Sequence, residues 1–249
     1  MSDSLKSVAQ AGASGNHGEA VLKELVEGGF DVSVLSRRSG QIPSGYASQV
    51  REVIVDYDDP ESLKEALESV DAVVSTLGSP AVGGLSYIFI YSSLFQDLGL
   101  TNGSLANLKE KSVILYKGGD LRISVARRST VGRGIVGVIK NPTATKNRSI
   151  RTQDGKISMK ELASALLEAL PSLWKITEVD TDKLKADSDE ALKNGIKEKW
   201  VFFNYIFQGG NNAKYGCSFE KVDNDFVGLP KLSTEEMRAL VMEITQANA

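Results

Sequence analysis

From residue 7 onward the apolar positions change period again and again along the chain. Residues 7–12 (SVAQAG) read as a buried strand, and residues 16–27 place Ala20, Val21, Leu22, Leu25 and Val26 at helical spacing. Residues 31–35 (DVSVL) form a second strand, so the chain opens on a strand-helix-strand unit. Residues 50–55 predict a third strand, 60–69 a helix with Pro60 in its first turn, and 70–77 (VDAVVSTL) a fourth strand. Such alternation predicts a parallel sheet with helices on both faces, the doubly wound α/β class of Rossmann type.

Beyond Gly84 the rhythm is less regular. Strands are predicted at 85–92, 112–116, 148–152 and 174–179, and helices at 129–140, 158–170, 181–194, 198–207 and 233–245. Asn141-Pro142 ends the first of these helices, and Ser158 with Glu161 and Ser233 with Glu236 have capping-box spacing. The organisation expected is a dinucleotide-binding part over residues 1–84, followed at 85–249 by the rest of the sheet and a smaller α/β substrate lobe.

Composition narrows the classes of function. The 249 residues carry 29 basic and 32 acidic side chains, so no net positive field draws in nucleic acid or an anionic membrane. Neither is expected as a partner. The one cysteine, Cys217, reads as a small buried hydrophobe, and the one histidine, His17, removes most metal sites and Ser-His-Asp catalysis from consideration. Residues 1–6 lack the pattern of a secretory signal, and the apolar run at 85–95 is too short for the roughly 20 residues a membrane helix needs. A cytoplasmic protein is expected.

The chemistry is concentrated between the first strand and the first helix. Gly12-Ala13-Ser14-Gly15-Asn16-His17-Gly18 has the spacing G-x-x-G-x-x-G: Gly12 for a tight turn, Gly15 for close approach of a pyrophosphate, and Gly18 for packing of helix on sheet. An anion would rest on N–H groups at the helix N-terminus. An NAD site usually places an acidic residue at the end of the second strand, where this chain has Ser36-Arg37-Arg38-Ser39. That substitution points to NADP(H), with Arg37 and Arg38 on the 2′-phosphate. Asp56, ending the third strand, and Thr76, Leu77 and Gly78, ending the fourth, lie where such sheets bind ligands; Asp56 reads equally well as a turn residue.

These segments together resemble a known family. GASGNHG (12–18), SVLSRRS (33–39), IVDYDD (54–59) and DAVVSTLGS (71–79) are similar to the NmrA-like and isoflavone-reductase-like branch of the atypical short-chain dehydrogenases, particularly fungal members. So are LSYIFIYSSLFQDLGL (85–100), VGRGIVGVIKNPTATKNRSI (131–150) and KVDNDFVGLPKLSTEEM (221–237). The resemblance implies an NADPH-dependent reductase of a small aromatic or secondary-metabolite substrate. It equally permits a nonenzymatic NADP-sensing regulator that works through a protein partner, or a redox-neutral dehydratase or isomerase using the same pocket.

One family segment is missing. After their fourth strand the relatives carry a helix, a strand and a further helix that bears a lysine assigned to proton transfer or nicotinamide positioning. Here STLGSPAVGG runs straight into LSYIF, and no tyrosine of the chain has a lysine four positions later. A parallel neighbour needs a crossover of about a dozen residues, whereas 78–84 offers seven. Either the strand at 85–92 pairs antiparallel or leaves the sheet, or the chain carries a natural or gene-model deletion, or the sequence joins two stretches around an absent one between Gly84 and Leu85. The catalytic group is therefore unassigned, with Tyr91 the first candidate donor and Tyr116 the second. Tyr87, Phe95, Phe202, Phe203 and Phe207 are candidates for lining a substrate pocket or for ordinary core packing.

Overall fold

The structure is a computed structural model that describes residues 5–77, 86–92 and 94–249. In chain order its first elements are β1 (Ser7–Ala11), α1 (Gly18–Glu27), β2 (Asp31–Ser36), β3 (Arg51–Ile54), α2 (Pro60–Leu67), β4 (Ala72–Ser75) and β5 (Ile88–Ser92). There follow β6 (Leu94–Phe95), α3 (Gln96–Thr101), β7 (Ala106–Asn107), β8 (Ser112–Tyr116), β9 (Ile123–Ala126), α4 (Arg128–Lys140), α5 (Pro142–Thr145), β10 (Arg148–Thr152) and β11 (Gly155–Ile157). The chain ends with α6 (Met159–Ala169), β12 (Lys175–Val179), α7 (Thr181–Lys193), α8 (Lys199–Gly210) and α9 (Thr234–Ala247).

These elements form two compact units, each gathered from separate stretches of chain. The first takes residues 1–90, 128–150 and 223–229, and the second takes 91–127, 151–222 and 230–249. The units are discontinuous because α4 returns to pack along α1 in the first.

The first unit is built on a four-stranded sheet of order β3-β2-β1-β4, parallel throughout, as the α/β reading predicts. Alternation along β1 sends Ala9 and Ala11 to one face, where Leu35, Val55 and the α2 side chains Leu63, Ala66 and Leu67 join them. Gln10 points to the other face and its side-chain amide donates to the Gly18 carbonyl at 2.7 Å, so this buried polar residue ties β1 to the start of α1. Val21, Leu22 and Leu25 complete the buried stripe of α1. Helices thus cover both faces, which is the doubly wound arrangement. Among the described residues β5 pairs with β10 outside this sheet, so of the three explanations for the short connection, the strand leaving the sheet agrees with the observed pairing.

The second unit has two three-stranded sheets, β11-β9-β6 and β12-β8-β7. Helices α6 and α9 pack together over them and share a core that includes Ile123, Val125, Leu162, Leu166, Met237 and Val241. Both capping boxes form as the spacing predicts. The Ser158 hydroxyl accepts from Glu161 N while Glu161 accepts from Ser158 N, and Ser233 and Glu236 do the same for α9. Among the described residues no helix is long and apolar enough to cross a membrane.

Candidate dinucleotide site

A parallel strand that feeds directly into a helix must turn sharply at its carboxyl end, and Gly12 takes that turn with φ of 85°. The turn is held from below by Thr76. Its hydroxyl donates to the carbonyls of Ala11 and Gly12, both at 3.0 Å, and its backbone N–H to Ala11 O. A Cβ on Gly12 would lie 2.6 Å from that hydroxyl oxygen. Thr76, expected among the cofactor contacts, is placed as a support of the loop and does not line the pocket described below.

The other two glycines differ in role. Gly18 is buried, and a Cβ there would come within 1.9 Å of the Gly12 carbonyl oxygen and 2.8 Å of Ala13. The close approach that demands glycine is therefore between the first residue of α1 and the turn that leaves β1. Gly15 is exposed, has no positive φ, and would bring a Cβ near nothing but Gly12 O at 3.4 Å. Its N–H donates back to Gly12 O at 3.1 Å, so Gly15 supplies open space above the loop rather than a donor of its own. Asn16 is exposed and its carbonyl accepts from the Arg128 guanidinium at 3.0 Å. His17 stands at the N-cap of α1, with its carbonyl taken by Val21 N.

This loop and the end of β2 enclose a pocket of about 460 Å³. Gly12, Ala13 and Ser14 form one wall, Val34 to Arg38 another, and Gln41, Tyr57 and Leu77 close the rest. Arg37 and Arg38 are exposed, and both line it. Tyr57 donates its hydroxyl to Leu35 O at 3.1 Å, and burial raises its pKa although the Arg37 charge opposes the shift. Of the sequence-derived candidates, Gly12, Ser14, Arg37, Arg38 and Leu77 meet at this pocket, while Gly15, Asn16, His17 and Gly18 shape the loop behind it. Gly78 lies outside the described residues.

Asp56 is placed as a turn residue. Its carboxylate accepts the Asp58 N–H at 3.0 Å, its own N–H donates to the Ser62 hydroxyl, and Tyr57 rather than Asp56 reaches the pocket. The sequence reading passed over Glu52 on β3. Its two oxygens accept the backbone N–H groups of Gly40 and Gln41 at 2.9 and 2.8 Å, and these bonds hold its carboxyl below the usual carboxylate range. Nothing in the period-2 pattern of a strand marks such a residue, since the loop that it binds is irregular.

In the second unit, Tyr116 is buried and stacks on Phe207 with ring centroids 5.6 Å apart, and burial pushes its hydroxyl up to about 12. That environment makes Tyr116 a core residue shielded from solvent, with the partly buried Phe207 packed against it. Phe202 and Phe203 are half exposed on α8, and Phe95 is partly buried. Tyr91 is 50% exposed on β5. In the first unit, Tyr87 packs its ring against Phe89.

Comparison with known proteins agrees with this geometry. Residues 12–113 match the NAD(P)H-binding family model. A curated relative, oxidoreductase poxI of Penicillium oxalicum, is 23% identical over 137 residues; the match covers 53% of this chain and 43% of the relative, so the chain spans less than half of that protein's length in the aligned region. Two solved structures have the same fold. The leucoanthocyanidin reductase–NADPH complex from Vitis vinifera has a TM-score of 0.72 at 14% identity, over 95% of this chain and 99% of that one. The NADPH-dependent quinone oxidoreductase QOR2 from Escherichia coli, complexed with NADPH, has a TM-score of 0.70 at 15% identity, over 94% and 99%. Residues 12–113 thus match an NAD(P)H-binding family model, and the fold is shared with solved reductases, an isoflavone reductase among them.

Proposed function

We propose that the chain binds NADPH in preference to NADH and is a reductase of a small aromatic or secondary-metabolite substrate, with slow turnover. One observation carries the cofactor half of this reading: the glycine loop and two adjacent arginines converge on a single pocket whose lining contains no carboxylate. An adenosine 2′-phosphate placed there would meet Arg37 and Arg38 at its phosphate and Tyr57 and Leu77 at its apolar surface, while the space above Gly15 admits the pyrophosphate. The cofactor, when bound, supplies the hydride, and the protein's part is to hold the nicotinamide against the substrate. The two structural neighbours are a leucoanthocyanidin reductase and a quinone oxidoreductase, which supports an aromatic substrate.

Slow turnover follows from the missing proton donor. General acid–base catalysis contributes about 10²–10⁴-fold, and this chain has no Tyr-x-x-x-Lys dyad and no counterpart of the family's lysine-bearing segment. Tyr91 is the first side chain to test as a substitute. The test is to titrate both cofactors by nucleotide fluorescence, with wild type and Arg37→Ala/Arg38→Ala, and then follow NADPH consumption on a panel of enones and aromatic ketones. NADPH affinity is expected to fall about 10- to 150-fold in the double variant with NADH unaffected, as for loss of a hydrogen bond to a charged group. Equal affinities in the wild type overturn the cofactor assignment. Turnover above about 1 s⁻¹ overturns the slow-reductase reading. Tight NADPH binding with no consumption on any substrate favours the regulator or the redox-neutral enzyme over the reductase.

A further inference from the structure

The Arg37–Gln41 loop has little to hold it in place by itself. Arg37, Arg38, Ser39 and Gly40 are all exposed, so no apolar side chain among them anchors the loop to the core. Left alone, such a segment samples many conformations, and a phosphate that needs both guanidinium groups would have to order it on binding. Glu52 supplies the missing anchor from the neighbouring strand. Its carboxylate accepts two successive backbone N–H groups, Gly40 at 2.9 Å and Gln41 at 2.8 Å, and charge-assisted bonds of this kind are stronger than neutral ones. Gly40 adopts φ of 77°, although a Cβ there would touch nothing within 4 Å. Glycine is therefore favoured there by the backbone conformation of the reversal, which turns the two N–H groups toward one carboxylate.

We infer that Glu52 is a positioning residue for cofactor selectivity, clamping the β2–β3 loop so that Arg37 and Arg38 are presented together to the 2′-phosphate of NADPH. The inference rests on the NADPH assignment proposed above. Both Glu52 oxygens are engaged by the loop backbone, so this carboxylate does not take the place of the acidic ribose ligand of an NAD site. The Gly40 and Gln41 N–H groups are likewise spent on Glu52, and Arg37 and Arg38 are the charged side chains that line the pocket.

The sign of one measurement separates the clamp from plain electrostatics. A negative charge near a phosphate repels it, so if charge were the whole of Glu52's role, Glu52→Gln would tighten NADPH binding. A clamp demands the reverse, because the amide offers one acceptor where the carboxylate offers two. Titrating NADPH and NADH against wild type, Glu52→Gln and Glu52→Ala should show the NADPH dissociation constant rising about tenfold in Glu52→Ala and less in Glu52→Gln, with NADH binding unchanged. Limited trypsin digestion of the cofactor-free chain reads the loop directly: cleavage after Arg37 and Arg38 should accelerate in both variants while cleavage elsewhere keeps its rate. Tighter NADPH binding, an equal loss for both cofactors, or unaltered cleavage at the two arginines each overturns the clamp. A wild type without NADPH preference instead overturns the cofactor assignment on which it rests, and that result is visible before any variant is made.

Discussion

Within the one parallel sheet, β1 and β2 are buried at every position except their first, whereas β3 and β4 have no fully buried position. The helices repeat the contrast: α1 buries Gly18, Val21, Leu22 and Leu25, and α2 buries no residue completely. Val73 on β4 and Ile54 on β3 are each 52% exposed. The central strands have a hydrogen-bonded neighbour on each side and helices on both faces, while among the described residues the outer two each have one neighbour. The candidate site uses the better-held half. Its two principal walls, the glycine loop and the Arg37-Arg38 turn, leave the carboxyl ends of the two buried strands β1 and β2, while the periphery contributes supports such as Thr76 and Glu52.

If that contrast is real, the two halves should respond very differently to similar changes. Leu22→Ala, which empties a fully buried position under the central strands, is expected to cost about 2–5 kcal/mol in urea unfolding. A loss below about 1 kcal/mol would mean that α1 is held far more loosely than its burial indicates. The glycine loop should divide within itself. Gly18→Ala forces a Cβ onto the Gly12 carbonyl and is expected to cost about 3 kcal/mol, whereas Gly15→Val should leave cofactor-free stability within about 0.5 kcal/mol and block NADPH binding. Normal NADPH affinity in Gly15→Val would remove the loop from the cofactor site. The smallest effect is expected at the edge, where Val73→Thr keeps the β-branched shape on a half-exposed strand and should shift stability by no more than about 0.5 kcal/mol. A larger loss would show that β4 is covered in solution.

Local rules made much of the chain legible in advance. The capping boxes at Ser158/Glu161 and Ser233/Glu236 involve residues three apart, and both form. Likewise β8 occupies residues 112–116 and β10 residues 148–152 as the β-rich runs predict, and Asn141-Pro142 ends one helix. Where the pattern was short, it failed. Ile123–Ala126 and Gln96–Thr101 were not anticipated as a strand and a helix, because four and six residues barely complete one period and their pairing comes from distant partners.

The sequence by itself determined the chemistry available at the site: three glycines at fixed spacing after a strand, and arginines where an acidic residue would select NAD. Those are one-dimensional facts, because a βα turn places its residues next to one another by geometry alone. Only the tertiary structure decided which residues do the placing. Thr76 reaches the Gly12 carbonyl across 64 positions of chain, Glu52 reaches Gly40 across 12, and Asp56 turns aside into its own loop. Contacts of that kind depend on which strands lie side by side and in what register. The burial of the whole sheet fixes that order, and no short stretch of sequence carries it.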